Sequence, residues 1–244
     1  LDSGVEGSLT LVVAPAGFGK TTLVSSWLQD RDSENNAPVA WLSLDEGDRD
    51  KVSLLRYFIG ALRTIFPDAC PETLNLVNAR QETPVSFLSD MLINELELLP
   101  SQFILVLDDF YTLPDKSVMD FLNDFVRHWP QRMHMVILSR YNPPLPLAAL
   151  RARGVVTEIR ARDLRFSSEE TAQYFNQVLG TPPDESAVSL LQRQIEGWIA
   201  GLKLIRLSMD GRYVPRELTM ALQGGDVYIT DYLIDEVINV QPPP

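Results

Sequence analysis

Nine consecutive residues carry the most specific chemistry in the sequence: Ala14, Pro15, Ala16, Gly17, Phe18, Gly19, Lys20, Thr21 and Thr22. They follow the pattern G-x-x-x-x-G-K-[ST], with Ala14 in the place of the first glycine. A loop of this kind wraps a phosphate chain so that successive backbone N–H groups point inward. Gly17 and Gly19 permit the backbone angles and the close approach of main chain to anion. Lys20 brings a positive charge to the β- and γ-phosphates, and Thr21 offers a hydroxyl to Mg2+. The helix that follows turns its positive end toward the anion. The expected ligand is ATP or ADP with Mg2+, bound by residues 15–22. The alternative is a chance match in a glycine-containing loop. Against it, an apolar run precedes the loop and a helical pattern follows, the context the motif demands.

A phosphate loop needs an acidic partner at the tip of a neighbouring strand. Residues 103–109, Phe-Ile-Leu-Val-Leu-Asp-Asp, supply an apolar strand ending in two carboxylates. Asp108 fits the Mg2+ role, usually exercised through water. Asp109 is then placed to orient or deprotonate an attacking water, although an Asp has a shorter reach than a Glu. Its alternative role is to cap the following loop. A further apolar run, 135–138, ends in Ser139 and Arg140. There Arg140 either senses the γ-phosphate and stabilises transferred charge, or pairs on the surface with one of the many acids. Asp109, Lys20 and Arg140 are therefore the catalytic candidates, and Thr21 and Asp108 the metal ligands.

These residues need a scaffold, and the apolar patterning supplies one. Strands are expected at 9–14, 39–43, 103–107, 135–138 and 155–159. Helices are expected at 21–29, 51–66, 85–99 and 117–129. Alternation of this kind predicts an α/β fold, a mostly parallel sheet flanked by helices. One strand, 39–43, intervenes in sequence between the two motif strands. That count points to the ASCE-type P-loop NTPases, in which an extra strand separates the motifs, and away from small-molecule kinases and Ras-like GTPases. From Asp163 onward no strand-like run follows. Ser167 and Glu170 mark a helix start three residues apart. Helical patterns continue at 168–179, 184–195, 198–209 and 228–240, punctuated by Pro182-Pro183 and Gly224-Gly225. The expected division is a P-loop core at 1–163 and a small all-α domain at 164–244, its end being the start of a winged-helix-like segment.

Bulk properties narrow the function classes. Lys+Arg number 21 against Asp+Glu 33, a net charge of −12. A general affinity for nucleic acid needs clustered cations and is not expected of this chain. The single Cys70 excludes an internal disulfide and a cysteine-based metal site, and fits a cytoplasmic location. No apolar run is long enough to span a bilayer. The start at Leu1 and the terminal prolines suggest a piece of a longer polypeptide.

Five motifs in order resemble a known family: the loop 14–22; Trp41-Leu-Ser-Leu-Asp45-Glu46-Gly47-Asp48; Leu107-Asp108-Asp109-Phe110-Tyr111; Ser139-Arg140 with Pro143-Pro144; and Gly197-Trp198-Ile199-Ala200-Gly201-Leu202. Together they are similar to the MalT-like regulators, large ATP-dependent transcription activators of the LuxR class within the STAND group of signalling ATPases. The similarity covers nearly the whole chain, and includes residues 164–167 and 231–237. It implies a switch that rests with ADP bound and opens with ATP and an inducer, a small molecule or a protein. It then self-associates, and it resets by slow hydrolysis. DNA would be engaged only by a C-terminal domain outside this chain. The family's segment at 197–202 lies in the small helical domain near the adenine, which implicates Ile199 and Leu202. Here Ile199 replaces a frequent Pro, and Tyr111 a common His.

Other features have plainer explanations. The acidic stretch Asp45 to Asp48 is either a solvated loop or helix cap, or a metal or relay site. Arg151, Arg153, Arg160, Arg162 and Arg165 pair with surface acids, unless one touches phosphate or a second protomer. His128 and His134 lack a partner motif for metal binding. Two further function classes remain: a scaffold that holds nucleotide without hydrolysing it, and an AAA-type motor. The second lacks an evident trans-acting arginine and a basic channel.

Overall fold

The computed structural model describes residues 8–31, 37–45, 50–79, 83–110, 116–179 and 185–208. Glu46, Gly47, Asp48 and Tyr111 lie outside them. So do the Pro182-Pro183 and Gly224-Gly225 breaks and the expected helix at 228–240.

Five strands form one sheet: β1 (Leu9–Val13), β2 (Val39–Ser43), β3 (Phe103–Asp108), β4 (Met133–Ser139) and β5 (Val156–Arg160). Their order is β2-β3-β4-β1-β5. The β2–β3, β3–β4 and β4–β1 pairs are parallel. Every residue of β3 and β4 is buried, as continuous apolar strands covered on both faces require. The edge strand β2 alternates between buried and more exposed positions. Although β2 falls between the two motif strands in sequence, the strand lying between them in space is β4.

Among the described residues, helices α1 (Lys20–Gln29), α2 (Lys51–Arg63), α3 (Pro71–Asn78), α4 (Val85–Glu97), α5 (Lys116–Arg127) and α6 (Leu147–Ala152) accompany the sheet. The apolar stripes of α2 and α5 show why they pack. Leu55, Phe58, Ile59 and Leu62 of α2 and Phe121, Leu122 and Phe125 of α5 enter one core with the strands. Phe58 meets Phe125 edge-on at 6.1 Å. Expected and observed ends differ by at most three residues, because frayed last turns carry no sharp signal.

Two short helices, α3 and α6, were not expected. The cause is clearest for α3. Its N-cap is Cys70, held at φ 49° with no side-chain cap of its own. The capping carboxylate comes from Glu95 on α4, which accepts from the Glu72 and Thr73 amides at 2.9 Å each and from the Thr73 hydroxyl.

Helices α7 (Ser168–Leu179), α8 (Glu185–Ile195) and α9 (Ile199–Ser208) follow a single 3-10 turn at Ala161–Asp163. Phe175, Ala187, Leu191, Leu202 and Ile205 make their separate core. The α7 start is reciprocal. Glu170 N–H donates to Ser167 Oγ at 3.1 Å, and Ser167 N–H donates to the Glu170 carboxylate at 2.8 Å.

Packing divides the described residues into two compact units. One holds 8–13 and Thr21–Ile159. The other holds the helices from Arg160 together with Ala14–Lys20. The loop thus packs with the helical unit, a grouping that no single cut in the sequence can express.

Candidate functional site

The carboxyl ends of parallel strands are where open α/β sheets place their ligands. Here that edge gathers Val13, Ser43, Asp108 and Ser139, since Val13 pairs with Ser139 and Ser43 with Asp108. Arg140 follows Ser139 directly at the same edge. Ser139 is buried, and its Oγ accepts from the Tyr141 amide at 3.3 Å.

Within the sheet unit the decisive contact joins α1 to β3. Thr21 Oγ1 donates to Asp108 Oδ2 at 3.0 Å. The other carboxylate oxygen, Oδ1, accepts the Asp109 amide at 2.9 Å. Asp108 is only 5% exposed. A buried carboxylate needs donors of this kind to stay charged. Asp109 is half-exposed and adopts φ 55°, the left-handed region that few non-glycine residues occupy. Such positions cluster at functional sites.

The loop itself begins where β1 ends. Gly17 and Gly19 adopt φ 76° and 78°, the conformation that the glycine spacing anticipates. Lys20 is 8% exposed, and its Nζ donates to the carbonyls of Ala14 at 2.9 Å and Pro15 at 3.1 Å. Ala14 and Ala16 are buried, Gly17, Phe18 and Gly19 half-buried, and Pro15 and Thr22 exposed. A small buried side chain at Ala14 is what the end of this strand accommodates.

In the helical unit, α9 starts against the loop. Trp198 Nε1–H donates to the Ala16 carbonyl at 3.0 Å, and the Ala200 amide donates to the Gly17 carbonyl at 3.1 Å. Ile199 Cγ2 lies 3.7 Å from the position a Cβ on Gly19 would take. Leu202, by contrast, is 1% exposed and belongs to the helical core with Phe175 and Leu191. The structure therefore brings Ile199 to the loop and Leu202 to the core. Trp198 and Ala200 were quoted in a motif but given no role by sequence reasoning.

Arg151, Arg165 and His134 have ordinary partners. Arg151 pairs with Glu158, and Arg165 with Glu196 at 3.0 Å. His134 is buried, with Nε2 3.1 Å from Thr10 Oγ1, a core pair between β4 and β1. Asp45 is exposed. Among the described residues no three His, Cys, Asp or Glu side chains form a metal cluster, and no helix is long and apolar enough to cross a membrane. A hydroxyl and a carboxylate at Thr21 and Asp108 are hard oxygen donors suited to Mg2+, which takes few protein ligands and completes its shell with water and phosphate.

No protein-family model matches the sequence. The chain is 32% identical over 241 residues, 98% of its length, to an "HTH-type transcriptional regulator MalT" of Yersinia pestis, and covers 26% of that protein. It is 30% identical over 236 residues, 95% of its length, to the protein of the same description from Vibrio cholerae, and covers 25% of it. The chain thus spans about a quarter of the length of the curated relatives it matches. Among solved structures, a Walker-type ATPase of Pyrococcus abyssi superposes with a TM-score of 0.60 at 12% identity, over 98% of this chain and 72% of that one. That likeness is one of fold, the P-loop ATPase architecture.

Proposed function

Because this chain is MalT-like along nearly its whole length, we propose that it is the nucleotide-binding switch module of a MalT-like transcriptional activator, taking ATP and ADP with Mg2+. The observation that carries the proposal is the Thr21–Asp108 hydrogen bond. It places the hydroxyl of one motif against the carboxylate of the other, the two protein oxygens that a phosphate-bound Mg2+ requires. Loop amides and Lys20 hold the phosphates, and Asp109 positions the attacking water. Arg140 stabilises charge on the transferred group. Thr21 and Asp108 would hold the Mg2+, which would supply positive charge to offset that of the phosphates.

Hydrolysis in this reading is slow and regulatory. It returns the protein from an ATP- and inducer-bound, self-associating form to a resting ADP form, in the cytoplasm. The chain itself, at −12, does not engage DNA; a C-terminal domain of the longer protein does. The inducer is a small molecule or a protein.

Equilibrium dialysis tests the site. The parent chain takes up Mg-ADP and Mg-ATP, and Lys20→Ala lowers uptake at least tenfold, as expected for loss of a charge-assisted contact to phosphate. Equal uptake by the variant and the parent would refute the assignment.

A further inference from the structure

Four successive carbonyls of the phosphate loop are engaged. Those of Ala14 and Pro15 accept from Lys20 Nζ, that of Ala16 from the Trp198 indole, and that of Gly17 from the Ala200 amide. Every peptide bond described is trans. In a trans peptide the carbonyl and the next residue's N–H lie in one plane and point in opposite directions. Fixing the Ala16 and Gly17 carbonyls toward α9 therefore turns the Gly17 and Phe18 N–H groups away from α9. An anion-binding loop works only when its amides converge on one side, and α9 supplies the restraint on the other.

The indole is itself held in place. A Cβ on Gly201 would lie 2.5 Å from Trp198 Cε3 and 2.8 Å from Ile195 Cγ2, so only glycine leaves room for the ring where it stands. One turn earlier, a Cβ on Gly197 would meet the Phe166 carbonyl oxygen at 2.3 Å, and Gly197 sits at φ 74°. The Phe166 amide in turn donates to the Gly197 carbonyl at 3.0 Å. The two glycines fix the backbone entering α9 and the ring that leaves it.

We propose that Trp198 is a positioning residue for the phosphate loop, and that through it the start of α9 registers whether the loop is occupied. This rests on the nucleotide-binding reading. Trp198 touches no phosphate in this scheme. It acts on the carbonyl of Ala16, and the Ala200 amide does the same at Gly17. A polyphosphate that draws the amides inward tightens both contacts, and the indole, one of four in the chain, reports the change.

The test uses the whole chain with Mg-ADP and Mg-ATP as probes. Calorimetric titration gives the affinities, tryptophan emission is followed during the same titrations, and melting without nucleotide monitors the fold. Trp198→Phe keeps the ring and removes its N–H. It is expected to melt near the parent temperature, bind both nucleotides about five- to tenfold more weakly, the loss of one hydrogen bond, and lose the nucleotide-dependent emission change. Trp41→Phe, whose indole donates to Ser43 Oγ, keeps that change. Should Trp198→Phe not fold, Gly201→Ala keeps the indole N–H but displaces the ring, and is expected to weaken binding in the same sense. If the folded variant binds like the parent and its emission responds like the parent's, the positioning role is overturned while nucleotide binding stands. If the parent takes up neither nucleotide, the binding reading falls and the positioning role with it.

Discussion

Asp109 combines two properties that seldom meet: a carboxylate next to a buried Asp108, and a backbone at φ 55°. Asp and Asn tolerate this region better than other non-glycine residues, because their short polar side chains bond locally. Asp109→Asn therefore keeps the backbone and removes only the charge. On the proposed mechanism, phosphate release by the variant falls at least about a hundredfold, with ADP affinity little changed and the melting temperature intact. Asp109→Ala shows the same loss and is destabilised by a further ~1 kcal/mol, the cost of a left-handed alanine. Release unaltered in the Asn variant would leave a module that holds nucleotide without hydrolysing it. Lys20, Thr21 and Asp108 were legible in sequence because their spacing is local or their strand is unmistakable. Trp198 was not, since its partner Ala16 lies 182 positions away and an indole in an apolar pattern looks like core.

Among the elements, α2 shows how much a cap decides. Asp50 accepts from the amides of Val52 and Ser53 at 2.9 Å each. The Ser53 hydroxyl, then the Ser53 and Val52 amides and Arg56, hold its carboxyl below the usual range against a modest burial penalty. A depressed pKa makes this cap stabilising above the unfolded-state value and ineffective as pH falls through the folded one. Asp50→Ala is expected to cost about 1 kcal/mol at neutral pH. The gap between variant and parent narrows as pH falls below the unfolded value of about 3.8 and closes only below the lower folded one, where the parent's own carboxylate is protonated. Denaturant titrations at pH 7 and pH 3 measure both, and a gap independent of pH would exclude capping as its source. The α7 capping box was readable because Ser167 and Glu170 stand three apart. The α3 cap was not, because Glu95 reaches it from 22 and 23 residues downstream.

For the molecule as a whole, alternating apolar runs made the parallel sheet and the following helices legible. The packing of Ala14–Lys20 with the helices is not written in that periodicity. Cys70 offers a gauge of global integrity in the sheet unit. Burial, reinforced by the nearby Glu95 charge, pushes its thiol up to about 12. At pH 8 roughly one molecule in ten thousand then carries the reactive thiolate. An aromatic disulfide reagent is expected to modify it at the rate of unfolding, accelerating with denaturant in step with the loss of secondary structure. Prompt stoichiometric reaction in native buffer would contradict this.

The place of β4 sets a dimension. With one strand inserted, the tips of β1 and β3 stand two inter-strand spacings apart, roughly 9–10 Å. Backbone alone leaves that gap open, yet the Thr21 and Asp108 side chains meet across it at 3.0 Å. The spacer thus works like a shim in a vice. Its thickness is invariant, being set by main-chain hydrogen bonding, and the jaws it separates are adjusted only by side-chain length. One methylene at position 108, as in Asp108→Glu, would misfit a gap that no relaxation of the sheet can widen.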